Sequence, residues 1–152
     1  MTAMQVFERC KDVESDKQAL RERITRYHES AARMSATLDG IGARSTAESD
    51  KLSAIMAEID LLERSIGQRD KEYAAELAAA CKLLDMLPRI ECKIIDSFYI
   101  KGKSLANIAR ELSYSYGYVR TTKSQACAHL GDIPEDMVAQ LLPDWYLDTY
   151  GK

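Results

Sequence analysis

Two long stretches of this chain carry apolar residues at alternating spacings of four and three, a pattern that leaves few folds open. The first seam runs Val6, Cys10, Val13, Lys17, Leu20, Ile24, Tyr27, Ala31, Met34 and Leu38. The second runs Leu52, Ile55, Ile59, Leu62, Ile66, Tyr73, Ala80, Leu83 and Leu87, with Arg69 and Glu76 interrupting it and Leu77 and Leu84 widening it. A repeat of this period keeps one side of an α-helix apolar along its length, so each stretch is expected to be a helix packed along another. Residues 39–50 collect Gly40, Gly42, Ser45, Thr46, Ser49 and Asp50 and are expected to be the linker. Asp39-Gly40 should end the first helix, with Gly40 at its C-terminal cap. Two restarts are open: a capping box from Ser45 to Glu48, or Asp50 as cap, with a frayed turn from Thr46 and firm helix from Lys51. Residues 1–87 therefore read as a long antiparallel hairpin, coiled-coil-like. Whether its seam is wholly internal or also forms a homodimer through the N-terminal helices stays open.

Composition supports an all-α chain. Among 152 residues there are three prolines and seven glycines, and β-branched runs are few. The four cysteines, Cys10, Cys81, Cys92 and Cys127, form no C-x-x-C pair, and only two histidines are present. No metal site is expected from such a set, and no cofactor. Charged residues arrive early, at Glu8, Arg9, Lys11 and Asp12, so no secretory leader is read, and no apolar run is long enough for a membrane span. A cytoplasmic protein with no membrane partner is expected.

The net charge of −3 conceals an asymmetry. Residues 88–130 carry seven basic and three acidic side chains, whereas residues 131–152 carry one basic and five acidic. Screening confines each patch to its own neighbourhood, so the middle segment is the one suited to an anionic partner.

That segment also reads as a three-helix unit. Leu87-Pro88 breaks the long helix and starts a short one with Ile90, Ile94, Ile95 and Phe98 inward, ending by Lys101-Gly102. Ser104 caps a second helix carrying Leu105, Ile108, Ala109 and Leu112. Ser113-Tyr114 makes a turn, Ser115 caps a third helix, 116–130, and Val119, Ala126 and Leu130 form its rear. Two short helices joined by a tight turn, the second with a polar front, outline a helix-turn-helix DNA reader. Arg120 is the candidate for a two-pronged guanine contact, and Ser115, Tyr116, Gly117, Thr121 and Ser124 complete the reading face. Lys123, with Lys101, Lys103 and Arg110, is suited to backbone phosphates. Residues 131–152 form an acidic, aromatic tail with one short helix carrying Met137, Val138, Leu141 and Leu142, which Pro143 stops. The tail is expected to fold back over an apolar patch.

Leu87-Pro88 and the apolar helix to Ile100, the segment from Lys103 to Leu112, and Ser115 through Ala126 and Leu130 together resemble region 4 of bacterial sigma factors. In that family the third helix reads the upstream promoter element, and Tyr116, Gly117, Arg120, Thr121 and Ser124 fall at the positions that face DNA. With the heptad-bearing N-terminal half, the whole resembles small phage and prophage transcription regulators of the ArpU and RinA-like late-gene activator type. The resemblance implies a prophage-encoded, sequence-specific regulator whose partners are double-stranded DNA and, as a further option, RNA polymerase. Two alternatives stay open: an adaptor that binds polymerase or another protein without strong DNA affinity, and a DNA-packaging protein like a phage terminase small subunit. No enzyme is expected, since no catalytic residues can be assigned. His28 and His129 lie in unrelated segments, and no Gly-rich phosphate loop follows a strand.

Overall fold

The computed structural model describes residues 1–41 and 46–151, all in helices and the turns between them, with no strand among the described residues. Helices α1 (Ala3–Ile41) and α2 (Thr46–Leu84) are each 39 residues long. The linker is shorter than residues 39–50: α1 continues through Asp39 and Gly40, and α2 is already formed at Thr46 rather than firm only from Lys51. A single glycine costs a helix only about 1 kcal/mol, too little to stop so long an element. The expected capping box from Ser45 to Glu48 lies outside the described residues.

Contacts divide the chain inside these helices, not at Leu87-Pro88. One unit is Glu14–Asp70; the other joins Met1–Val13 to Lys71 and all that follows. In the Glu14–Asp70 unit the two helices run antiparallel, with Ala31, Ile59 and Leu62 buried between them. Charged residues at its seam positions are paired across the helices. Lys17 Nζ lies 2.7 Å from Asp70, and Arg69, itself buried, donates from Nε to Asp16 at 3.1 Å. The apparent interruption at Arg69 is thus a cross-helix ion pair, whose aliphatic stem fills the seam.

In the other unit, Val6, Phe7 and Cys10 of α1 and Ala79, Ala80 and Leu83 of α2 supply one wall of the main core. Pro88 precedes α3 (Arg89–Ile95), which continues as a π-helical turn over Asp96–Ile100. The wider turn closes through Lys101 N–H donating to the Asp96 carbonyl at 3.0 Å. Its Tyr99 is buried in the main core, while Phe98 packs against that core and against a second one. Gly102 takes φ +70°, a left-handed conformation that redirects the chain into α4 (Leu105–Leu112). α5 (Tyr116–Gly131) follows.

The second core is Ile94, Ile108, Ala109 and Val119, one layer from each of α3, α4 and α5. The remaining inward residues, Ile95, Tyr99, Ala126 and Leu130, join α1 and α2 instead. The tail contains two short helices rather than one: α6 (Glu135–Ala139) behind Pro134 and α7 (Asp144–Tyr150) behind Pro143. Pro143 ends one helix and begins the next because its fixed φ suits a first turn. The tail folds back, burying Val138, Leu142 and Tyr146 in the main core. Among the described residues no helix is long and apolar enough to cross a membrane.

Candidate nucleic-acid interface

Both helices of the helix-turn-helix begin on a serine. Ser104 Oγ accepts from Asn107 N–H at 3.2 Å, and Ser115 Oγ accepts from Tyr118 N–H at 3.1 Å. Each satisfies one of the backbone donors that an N-terminus leaves free. Between them Ser113 sits at φ 59°, ψ 38°, and Tyr114 N–H donates to the Ala109 carbonyl at 2.9 Å. One left-handed residue thus reverses the chain within the short turn, and α5 is set against α4 by Val119 meeting Ile108 and Ala109.

Fixing Val119, Thr122, Ala126 and Leu130 inward leaves the opposite side of α5 in solvent. Tyr116, Gly117, Arg120, Thr121 and Ser124 are all exposed there. Ser124 Oγ donates to the Arg120 carbonyl at 3.2 Å, leaving its lone pairs outward. Tyr114, Tyr116 and Tyr118 are about half exposed, at 46%, 52% and 44%, and the rings of Tyr114 and Tyr118 lie 4.7 Å apart. Arg110 of α4 is exposed as well.

The basic residues divide by partner. Lys101 lies 3.6 Å from Asp96 and Lys103 lies 2.7 Å from Glu111, so both share a local carboxylate. Among the described residues Arg89, Lys93, Arg110 and Arg120 have no carboxylate within ion-pair distance. Lys123 is half-buried, its ammonium 4.5 Å from the centroid of Phe98 and 5.5 Å from that of Tyr99. It stands at the flank of α5 beside α3, apart from the face that holds Arg120. Ser115 acts as a helix cap.

Three features were not read from sequence. Glu91 of α3, buried, meets His129 of α5 at 2.7 Å, tying the two helices beside their apolar contact. Lys11 of α1 lays its ammonium 4.0 Å over Phe98. Glu76, without exposed surface, binds Arg9 and Tyr146. The signal available for the last was a carboxylate at a seam position of α2.

Among the described residues no three His, Cys, Asp or Glu side chains gather closely enough to hold a metal. Burial, with Asp96 and Asp85 nearby, pushes the Cys92 thiol above its ordinary pKa, which disfavours the reactive thiolate. No family model, curated protein or solved structure matches the chain.

Proposed function

We propose that the protein is a DNA-binding transcription regulator that lays α5 in the major groove. The observation that carries this reading is the outward face of α5. An exposed arginine free of carboxylates stands among hydroxyls and a glycine, on a helix whose rear is locked by Val119, Ala126 and Leu130. Arg120 is in place for the two acceptors of a guanine edge; Thr121, Ser124 and Tyr116 supply donors and acceptors for neighbouring edges or phosphates. Arg110, Lys101 and Lys103 supply phosphate charge, the two lysines by exchanging a carboxylate for a phosphate. The sequence resemblance to sigma region 4 and to prophage late-gene regulators supports promoter DNA as the target and a prophage origin.

The seam of the Glu14–Asp70 unit supports a homodimer. Leu20, Ile24, Ile55 and Ile66 are only half-buried there, and Met56 beside them is exposed at 50%. A second hairpin packed along the seam would cover these side chains.

An electrophoretic mobility titration on promoter-bearing fragments tests the reading. Shifted bands that weaken about fivefold or more with Arg120→Ala are expected, since one good base contact contributes about 1–3 kcal/mol of discrimination. Absence of binding at low salt, or indifference to Arg120→Ala, would defeat it. The exposed Tyr114, Tyr116 and Tyr118 favour a second reading, an adaptor that docks a protein partner such as RNA polymerase. Polymerase capture by protein with no duplex affinity would select that reading instead.

A further inference from the structure

A cation from outside the helix-turn-helix reaches the cleft beside the first residue of α5. The cleft, about 440 Å³, is lined by Lys11, Phe98, Lys103, Ser104, Leu105 and Tyr116, among others. Of its two lysines, Lys103 is held by Glu111 at 2.7 Å. Lys11 has no carboxylate partner among the described residues and rests on Phe98 at 4.0 Å. A second ammonium, that of Lys123, lies 4.5 Å from the same ring and is likewise without a carboxylate. Lys11 is therefore the ammonium of the cleft that is left without an acidic partner among the described residues.

We propose that Lys11 is a DNA contact, and that this cleft receives a backbone phosphodiester of the duplex read by α5. The proposal rests on the DNA-binding reading and names a residue of α1 as part of that surface. Continuity favours this occupant, because Tyr116 lines the cleft and also opens the outward face of α5. Chemistry favours it too. A phosphodiester has one negative charge and two unshared oxygens, matched by the Lys11 ammonium and the hydroxyls of Ser104 and Tyr116. The apolar floor of Phe98, Leu105 and Ala106 suits a deoxyribose. Such a contact fixes register along the duplex and reads no sequence.

Anisotropy titrations of the full chain with fluorescein-labelled duplexes, one mixed-sequence and one promoter-derived, across a salt series test this. Lys11→Ala is expected to lower the slope of log affinity against log salt by about one unit. Affinity should fall about eightfold near 0.1 M salt, alike on both duplexes. Lys11→Arg should restore the slope, and Lys51→Ala, which removes the same charge from α2, should leave it unchanged. Thermal melts accompany each variant, and Lys11→Gln is read in place of Lys11→Ala if the alanine variant melts early. A Lys11→Ala slope equal to that of Lys51→Ala, with Arg120→Ala still weakening binding, overturns the role of Lys11 and leaves the DNA reading standing. Wild-type protein that binds neither duplex at low salt overturns both.

Discussion

Glu76 has no exposed surface and remains in the core because two donors reach it, Arg9 Nε at 2.6 Å and the Tyr146 hydroxyl at 2.7 Å. Beside it Glu72 accepts from Arg9 Nη2 at 3.0 Å and from the Tyr150 hydroxyl at 2.8 Å. An unpaired buried carboxylate costs several kcal/mol, so the five side chains are one structural commitment. Burial by itself lowers the Arg9 pKa, but the hydrogen bond and charge of Glu76 outweigh it and hold the guanidinium above its ordinary value. Burial pushes the Tyr146 phenol up, Glu76 adds to the shift, and Arg9 opposes it; Tyr150 moves the same way, through burial and Glu72. Both phenols therefore stay protonated in the fold above the ordinary phenol value of about 10. The folded chain then binds more protons than the unfolded one, and stability falls as pH rises past about 10. Urea midpoints should hold below pH ~10 and decline above it. Tyr146→Phe should cost about 2 kcal/mol at neutral pH and flatten part of that decline, Tyr99 and Tyr150 keeping the rest. Parallel alkaline slopes for the two proteins would remove Tyr146 from the linkage.

At the scale of elements, Gly117 separates the stability of α5 from what α5 is for. It lies in the first turns of the helix, and a Cβ built on it meets nothing within 4 Å. Gly117→Ala should stabilise the protein by about 0.5–1 kcal/mol, since alanine loses less backbone freedom in a helix. If the backbone there approaches DNA, the same methyl should weaken duplex binding, giving a higher melting temperature with a lower affinity. A raised melting temperature with unchanged affinity would place Gly117 away from the DNA. The helices themselves were legible in the sequence because their signals are local. Pro88, Ser104 and Ser115 sit where the structure starts α3, α4 and α5, and Val119, Ala126 and Leu130 are the rear of α5. Which neighbour a side chain meets is not a local signal. Residue type alone suits Lys123 to a phosphate, and the structure sets it half-buried beside Phe98 and Tyr99 of the π-helical turn, which no local pattern announces. The partnership of Glu91 with His129 spans 38 residues and was equally hidden.

For the molecule as a whole, the consequence is a folding unit made from distant parts of the chain. The three-helix module read from the sequence as residues 88–130 has an inward side that is only half its own. Ile94, Ile108, Ala109 and Val119 close on each other, but Ile95, Tyr99, Ala126 and Leu130 are covered by α1, α2 and the tail. Sequence periodicity shows which side of a helix is apolar and not which segment covers it, so this dependence was not legible. Uncovering those four side chains would expose an apolar surface whose burial contributes several kcal/mol, of the order of a small domain's whole stability. A fragment of residues 88–130 should therefore show weak helicity and no cooperative melt by circular dichroism. Joining Val13 to Lys71 through a short Gly/Ser loop, with residues 14–70 removed, should behave oppositely. The ion pairs of Arg9 with Glu72 and Glu76 lie within the retained unit and already set α1 beside α2, so a short loop can close that antiparallel pair. The shortened chain should melt cooperatively and keep the outward face of α5. If the half-buried seam of residues 14–70 is the dimer contact, it should sediment as a monomer and bind DNA more weakly, with Arg120→Ala still reducing what binding remains. A stable, cooperatively melting 88–130 fragment would show that the module needs no cover and would restore the boundary at Leu87-Pro88.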